Sequence, residues 1–171
     1  MKTLKNRKLT KMKIKLLAIV LLLAATSIKA QQVDFSGNWT RNTKKCDAGD
    51  LSINSIPVGL SVKQDTRQIT ITRISKNYKG DTTAYMETLK SDGSSASTVI
   101  KSNLDKKANV SWSPDKKTLT ETADYADDSG NPVQKAKELW ALDDNGKTLQ
   151  IQLTLMVNGQ DHVLTEVYDR N

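Results

Sequence analysis

The chain has one cysteine, one histidine, four glutamates and eight aromatic residues in a length of 171. A single thiol excludes a disulfide-stapled scaffold and a multi-cysteine zinc site, and a single imidazole excludes a two-histidine metalloenzyme. Neither a metal nor a cofactor is expected. The excess of positive charge is confined to one segment. Eight of the 26 Lys and Arg lie before residue 31 and none of the 19 Asp and Glu does, so the remainder carries 18 cations against 19 acids, a net of −1. That balance excludes a polyanion binder, and no nucleic-acid partner is expected.

The long apolar run of a membrane span is missing too. Seven cations from Lys2 to Lys15 precede the ten apolar residues Leu16 to Ala25, and a short segment then ends on Ala30 before Gln31. Ten residues rise about 15 Å as a helix, half of the roughly 30 Å hydrocarbon core. The pattern is that of a secretory signal peptide over residues 1–30 with cleavage after Ala30. The expected product is a secreted or periplasmic chain of residues 31–171, forming one domain with no lipid anchor and no membrane span. A monomer is expected.

What is abundant is alternation. From Val58 onward apolar and polar residues alternate, Thr, Val and Ile are favoured, and polar turn clusters recur about every ten residues, which is the pattern of an all-β sandwich or barrel. Residues 60–74, 108–125 and 139–155 each read as strand, turn, strand. Asn158-Gly159 predicts a type I′ hairpin turn, because both central residues need positive φ. With Val157 opposite Gln160, residues Leu155, Leu153, Ile151 and Leu149 then face His162, Leu164, Glu166 and Tyr168. Residues 134–142 mix helix formers with alternation and are read as a strand. Residues 43–57 read as a long loop with a short helix.

The segment Phe35-Ser36-Gly37-Asn38-Trp39 puts a Gly-x-Trp at the start of the first strand, and Tyr168-Asp169-Arg170 closes the last. This pairing resembles the lipocalin and wider calycin barrels, and the stretch from 33 to 170 is similar to the small secreted lipocalin-like proteins of bacteria. The Thr-Asp-Tyr motif of typical lipocalins is not found, since Thr122-Ala123-Asp124-Tyr125 carries an inserted Ala. The resemblance implies a single antiparallel up-and-down β-barrel of about 8–10 strands, with Trp39 plugging one end and Arg170 packed across it. Its physical logic is that first and last strands must meet to close a barrel, where an Arg over an indole gains a cation–π contact of about 0.5–2 kcal/mol.

Hairpin register sets the chemistry of the inner face. A four-residue turn at 114–117 puts Trp112 opposite Leu119 and Val110 opposite Glu121, and a similar turn at 144–147 puts Trp140 opposite Ile151 and Glu138 opposite Leu153. A turn at Asp65-Thr66 pairs Val62 with Ile69 and Leu60 with Ile71, with Arg73 on the same row. The candidate ligand-binding residues are therefore Arg73, Trp112, Glu121, Glu138, Trp140, His162 and Glu166. An apolar wall carrying a few convergent charges suits a small, partly apolar or amphipathic ligand. The structural alternative is that these charges only neutralise one another inside the barrel.

The first functional expectation is a binding protein holding a small molecule inside the barrel. The second is a surface-acting interaction or protease-inhibitor-type module, working through loops such as 43–57 around a filled interior. An enzyme is not expected, although Glu, Arg and Tyr suffice for acid–base proton transfer, as in lipocalin-like phenolic acid decarboxylases. His162, with no partner at metal spacing, reads as a lining or rim residue. Cys46 lies between Lys45 and Asp47, where cations would lower its pKa; it is open to an intermolecular disulfide or to no role at all.

Overall fold

The computed structural model describes residues 31–100, 104–143 and 145–171. The leader expected over residues 1–30 lies outside the described residues. Ten strands follow one another: β1 (Gly37–Arg41), β2 (Gly59–Gln64), β3 (Gln68–Lys76), β4 (Thr82–Lys90), β5 (Ala96–Ile100), β6 (Leu104–Trp112), β7 (Thr118–Ala126), β8 (Pro132–Leu142), β9 (Thr148–Val157) and β10 (Gln160–Arg170). One helical turn, Ile53–Ser55, interrupts the loop between β1 and β2. All pairings between strands are antiparallel, in the order β4-β3-β2-β1-β10-β9-β8-β7-β6-β5. The two ends of this sheet lie side by side, β4 beside β5 and β6, so the sheet curls into a nearly closed up-and-down barrel.

Turn chemistry explains why the chain reverses where it does. Asn158 and Gly159 both take positive φ, 52° and 77°, and Val157 pairs with Gln160 as the type I′ reading requires. Other turns are built on acidic side chains: Asp65, Asp92 and Asp127 each accept the backbone N–H two residues on, and Asp143 accepts those of Lys147 and Thr148. Aspartate stabilises such turns because its short carboxylate mimics the backbone acceptor. None of the described aspartates is buried.

The registers expected for three hairpins are observed: Trp112 with Leu119, Trp140 with Ile151, and Leu155 with His162. The β2–β3 hairpin differs. Val62 pairs with Ile71 and Leu60 with Arg73, two residues from the expected partners. The cause is Asp65, whose N–H bonds to the Gln68 carbonyl while its carboxylate accepts from Arg67 and Gln68, so the chain reverses later than Asp65-Thr66. A shift of two leaves every side chain on its own face, and Arg73 still points inward.

One end of the barrel is plugged by the segment before β1. Phe35 stacks on Trp112 at 5.9 Å and meets Trp140 edge-on at 5.8 Å. Trp39 is 1% exposed, and its Nε1 donates to the Phe35 carbonyl. Arg170, paired with Trp39 across the strands, holds its guanidinium 4.3 Å from the Trp39 ring and donates to the carbonyls of Ser36 and Gly146. Gly37 has no Cβ where one would stand 3.1 Å from that guanidinium, a direct reason for glycine in the Gly-x-Trp sequence.

β1 pairs with only three residues of β10, and the following loop takes over the rest. Asp47 and Thr165 exchange both backbone hydrogen bonds, and Asn42 donates to Val167. Cys46 Sγ accepts from the Val167 N–H and donates to its carbonyl, and burial pushes the thiol pKa up. This corrects the expectation that neighbouring cations would lower it. Further on, Arg41 donates to the carbonyls of Ile53 and Ile56 and holds the helical turn against the barrel.

Candidate functional site

All four glutamates of the chain are buried inside the barrel, together with Arg73 and Lys106. Strand alternation puts them there: Arg73 lies opposite Leu60, Glu87 opposite Ile71, Glu121 opposite Val110, Glu138 opposite Leu153 and Glu166 opposite Ile151. Each shares a row with core side chains, and the polar residues between them face out.

Four of these groups form a closed ring of alternating charge. Arg73 Nε donates to Glu87 Oε1 at 3.0 Å, and the other Glu87 oxygen is bonded to Lys106 Nζ. Lys106 Nζ also reaches Glu121 Oε1 at 2.6 Å, and Glu121 Oε2 lies 3.8 Å from Arg73 Nη2. Outside the ring, Glu138 Oε2 accepts from Arg73 Nη2 at 2.7 Å and from Trp140 Nε1 at 2.8 Å. Glu166 accepts from the Tyr168 hydroxyl at 2.6 Å.

Among the described residues four fully buried carboxyls face two fully buried cations, and the half-buried Arg41 on the inward row of β1 adds a third positive charge that acts on Glu166. Glu121 and Glu138 are direct cross-strand partners, an arrangement that is destabilising when both are ionised. Burial, then the charge of Glu138, pushes the Glu121 pKa up to about 7. Burial and Glu138 do the same to Glu166, also to about 7. Burial works against the ionised form of Glu87 as well, but Arg73 and Lys106 override it and hold that pKa below the usual carboxylate value. Lys106 is likewise buried against its charge, and Glu121 and Glu87 nevertheless raise its pKa.

Of the residues expected to line a site, Arg73, Glu121, Glu138 and Trp140 come together in and around the ring, with the Arg73 guanidinium 5.6 Å from the Trp140 ring centroid. Glu166 lies inside next to Tyr168, without a direct bond to the ring. Trp112 belongs to the plugged end, against Phe35. His162 is half-buried at the opposite rim, where its Nδ1 is 2.9 Å from the carboxylate of Asp50 in the β1–β2 loop, an interaction that lowers the Asp50 pKa. Sequence reasoning missed Glu87 and Lys106. Lys106 shares its alternation with Ala108, Val110 and Trp112, and Glu87 shares its own with Leu89; those rows were the signal.

On two neighbouring strands, β9 and β10, exposure changes along the barrel axis. On β9 the inward residues Leu149 and Ile151 are fully buried, whereas Leu153 and Leu155 are half-buried. On β10 the same gradient runs from Tyr168 and Glu166 to His162. The charged ring thus lies between a plugged apolar end and an end where Tyr85, Leu153, Leu155 and His162 are only half-buried. A cleft of about 480 Å³ in the wall at β6, β7 and β8 touches Lys106 and Tyr125 together with the outward Lys107, Asp124 and Lys135.

These features define a ten-stranded antiparallel barrel with an ionic network across its interior. No family model matches the chain, and no curated protein matches it either. Among the described residues no helix is long and apolar enough to cross a membrane, and no group of three or more His, Cys, Asp or Glu is arranged to hold a metal ion.

Proposed function

We propose that the protein is a secreted or periplasmic, lipocalin-like binding protein that holds a small, partly apolar molecule in the more open half of its barrel, with the charged ring as the floor of the site. The observation that carries this reading is the gradient of burial along the inner faces of β9 and β10. Trp39, Leu149 and Ile151 are fully buried, whereas Leu153, Leu155 and His162, further along the inward rows of β9 and β10, are only half-buried. Pockets for small molecules combine such an apolar wall with a few fixed polar groups. Action through a free β1–β2 loop is disfavoured, because that loop is bonded along β10 by Asn42, Cys46 and Asp47. No catalytic activity is proposed.

The test is native mass spectrometry of the protein purified from its own host. A retained small molecule, lost on denaturation, is the expected result. Preparations that fly only at the polypeptide mass, from cells grown in several media, would overturn the proposal.

A further inference from the structure

We infer that the ligand of this barrel is an amphipathic amine, its ammonium group seated against Glu121 with Glu138 beside it and its apolar part toward Leu153 and Leu155. The inference rests on the binding reading above. Among the described residues inside the barrel four carboxyls face Arg73, Lys106 and the half-buried Arg41, an excess of one acid, and the bonding is unevenly shared. Both oxygens of Glu87 are bonded, one to Arg73 and one to Lys106. Glu138 Oε2 takes two donors. Glu121 is different: Oε1 accepts from Lys106, while Oε2, buried with a side chain only 2% exposed, takes no hydrogen bond from any described residue. Arg73 Nη2, 3.8 Å away, is beyond hydrogen-bonding reach. A buried carboxylate oxygen in that condition is rare and costly.

A primary ammonium group answers both features, because it brings three donors and one full positive charge. A carboxylate or phosphate headgroup would add negative charge to a site already in excess of it, and a hydroxyl would supply the hydrogen bond without the charge. The neighbouring rings suit a cation as well. Lys106 already lies 5.9 Å from the Tyr125 ring centroid, and Arg73 has a similar contact with Trp140.

The proton inventory makes the inference testable in unaltered protein. Glu121 is faced by Arg73 from β3, Glu87 from β4, Lys106 from β6, Tyr125 on its own strand and Glu138 from β8. Beyond these stand Tyr85 on β4, which acts on Arg73, and, on β10, Tyr168 with Glu166, on which Arg41 of β1 acts. With Glu121 titrating at about 7, an ammonium neighbour favours its ionised form. Binding then expels a proton in the neutral range, and affinity rises with pH until the amine itself deprotonates, near 10 for a lysine-like amine.

The experiment is isothermal titration of the purified protein with octylamine, octanol and octanoate. We expect octylamine to bind at least tenfold tighter than the other two, to gain affinity between pH 6 and pH 8, and to release protons, seen as a heat that varies with buffer ionisation. Glu121→Gln should bring octylamine to within about threefold of octanol, and the pH series on unaltered protein keeps the test decisive if that variant does not fold. Octanoate or octanol binding as tightly as octylamine would overturn the amine assignment and leave the binding reading standing. Octylamine affinity indifferent to both pH and Glu121→Gln would overturn the placement of its headgroup. Failure of all three probes to bind would overturn the amine assignment, while native mass spectrometry decides the binding reading separately.

Discussion

Glu87 on β4 and Lys106 on β6 are bonded to each other across the one place where the described barrel has no backbone ladder. β4 and β5 are consecutive in the chain and adjacent in space, yet they are the two ends of the sheet. On the inner side Arg73 and Glu121 complete the link from β3 to β7, so charge bridges this seam. The barrel wall therefore combines hydrogen-bonded ladders with one ionic clasp.

Removing one member of that clasp should be costly, because its partners keep buried, uncompensated charge. Lys106→Met is expected to lose about 3–5 kcal/mol, and the double change Glu87→Gln with Lys106→Met to recover a large part of it. Urea denaturation of the three proteins measures this. A loss below about 1 kcal/mol for the single variant would show that the clasp does not hold the seam.

Stability should fall as pH rises through neutrality. Glu121 and Glu166 have folded pKa values of about 7 against an ordinary 4.5, so the folded state binds more protons than the unfolded state between those values. Their joint contribution, a few kcal/mol, is full below about pH 4.5 and is lost as pH rises through 7. The denaturation midpoint is expected to decline from pH 5 to pH 8, and Glu166→Gln to flatten that decline. A midpoint that climbs across this range would contradict the assignment.

Trp39→Ala should lose about 3–5 kcal/mol, since a fully enclosed indole leaves a cavity that the plug of Phe35 and Arg170 cannot fill. Arg170→Ala should lose less, about 1 kcal/mol, for an exposed cation–π contact. Thermal and urea melts of both variants, made singly and together, test whether the pair acts as one unit. Equal losses for the two single variants would argue against a core role for Trp39.

Gly49 takes φ +58°, and a Cβ there would stand 2.5 Å from the Val163 carbonyl oxygen. Gly49→Ala is expected to destabilise by about 2 kcal/mol through backbone strain and the forced shift of the loop from β10. Faster amide exchange at Asp47 and Thr165 would mark the loop as the part displaced.

Export predicts a processed chain. N-terminal sequencing of the secreted or periplasmic form should begin at Gln31, and membrane-bound protein retaining residues 1–30 would overturn the localisation.

Strand parity was readable from sequence wherever alternation was clean. The β6–β7, β8–β9 and β9–β10 registers follow from turn lengths, and the buried places of Glu121, Glu138 and Glu166 follow from them. The β2–β3 hairpin shows the tolerance of such reasoning: a turn misplaced around Asp65 moves partners by two and leaves each residue's face intact. Glu87 was hidden because Tyr85 and Met86 are adjacent and both apolar, which blurs parity, and Met86 is the one facing out at 62% exposed. Lys106 was hidden because it stands in an Asp-Lys-Lys run that reads as surface, and lysine is almost never fully buried unless paired. The ring depends on which inward rows of β3, β4, β6 and β7 meet once the sheet has curled, and no local pattern records which rows meet across the barrel.

The pairing of Trp39 with Arg170 joins residues 131 positions apart, and it has a consequence for when the barrel can form. The hairpins among β5 to β10 can assemble as soon as each is made. β1 has no final neighbour on one side until the last residues of the chain are available. Closing so large a loop is slow, because its entropy is lost before the contacts that reward it are gained. A nascent chain that has not yet delivered β10 therefore keeps an unclosed sheet and an uncovered Trp39 edge. Removal of Tyr168 to Asn171 alone would take away every β10 residue that pairs with β1 and leave the sheet open beside Trp39.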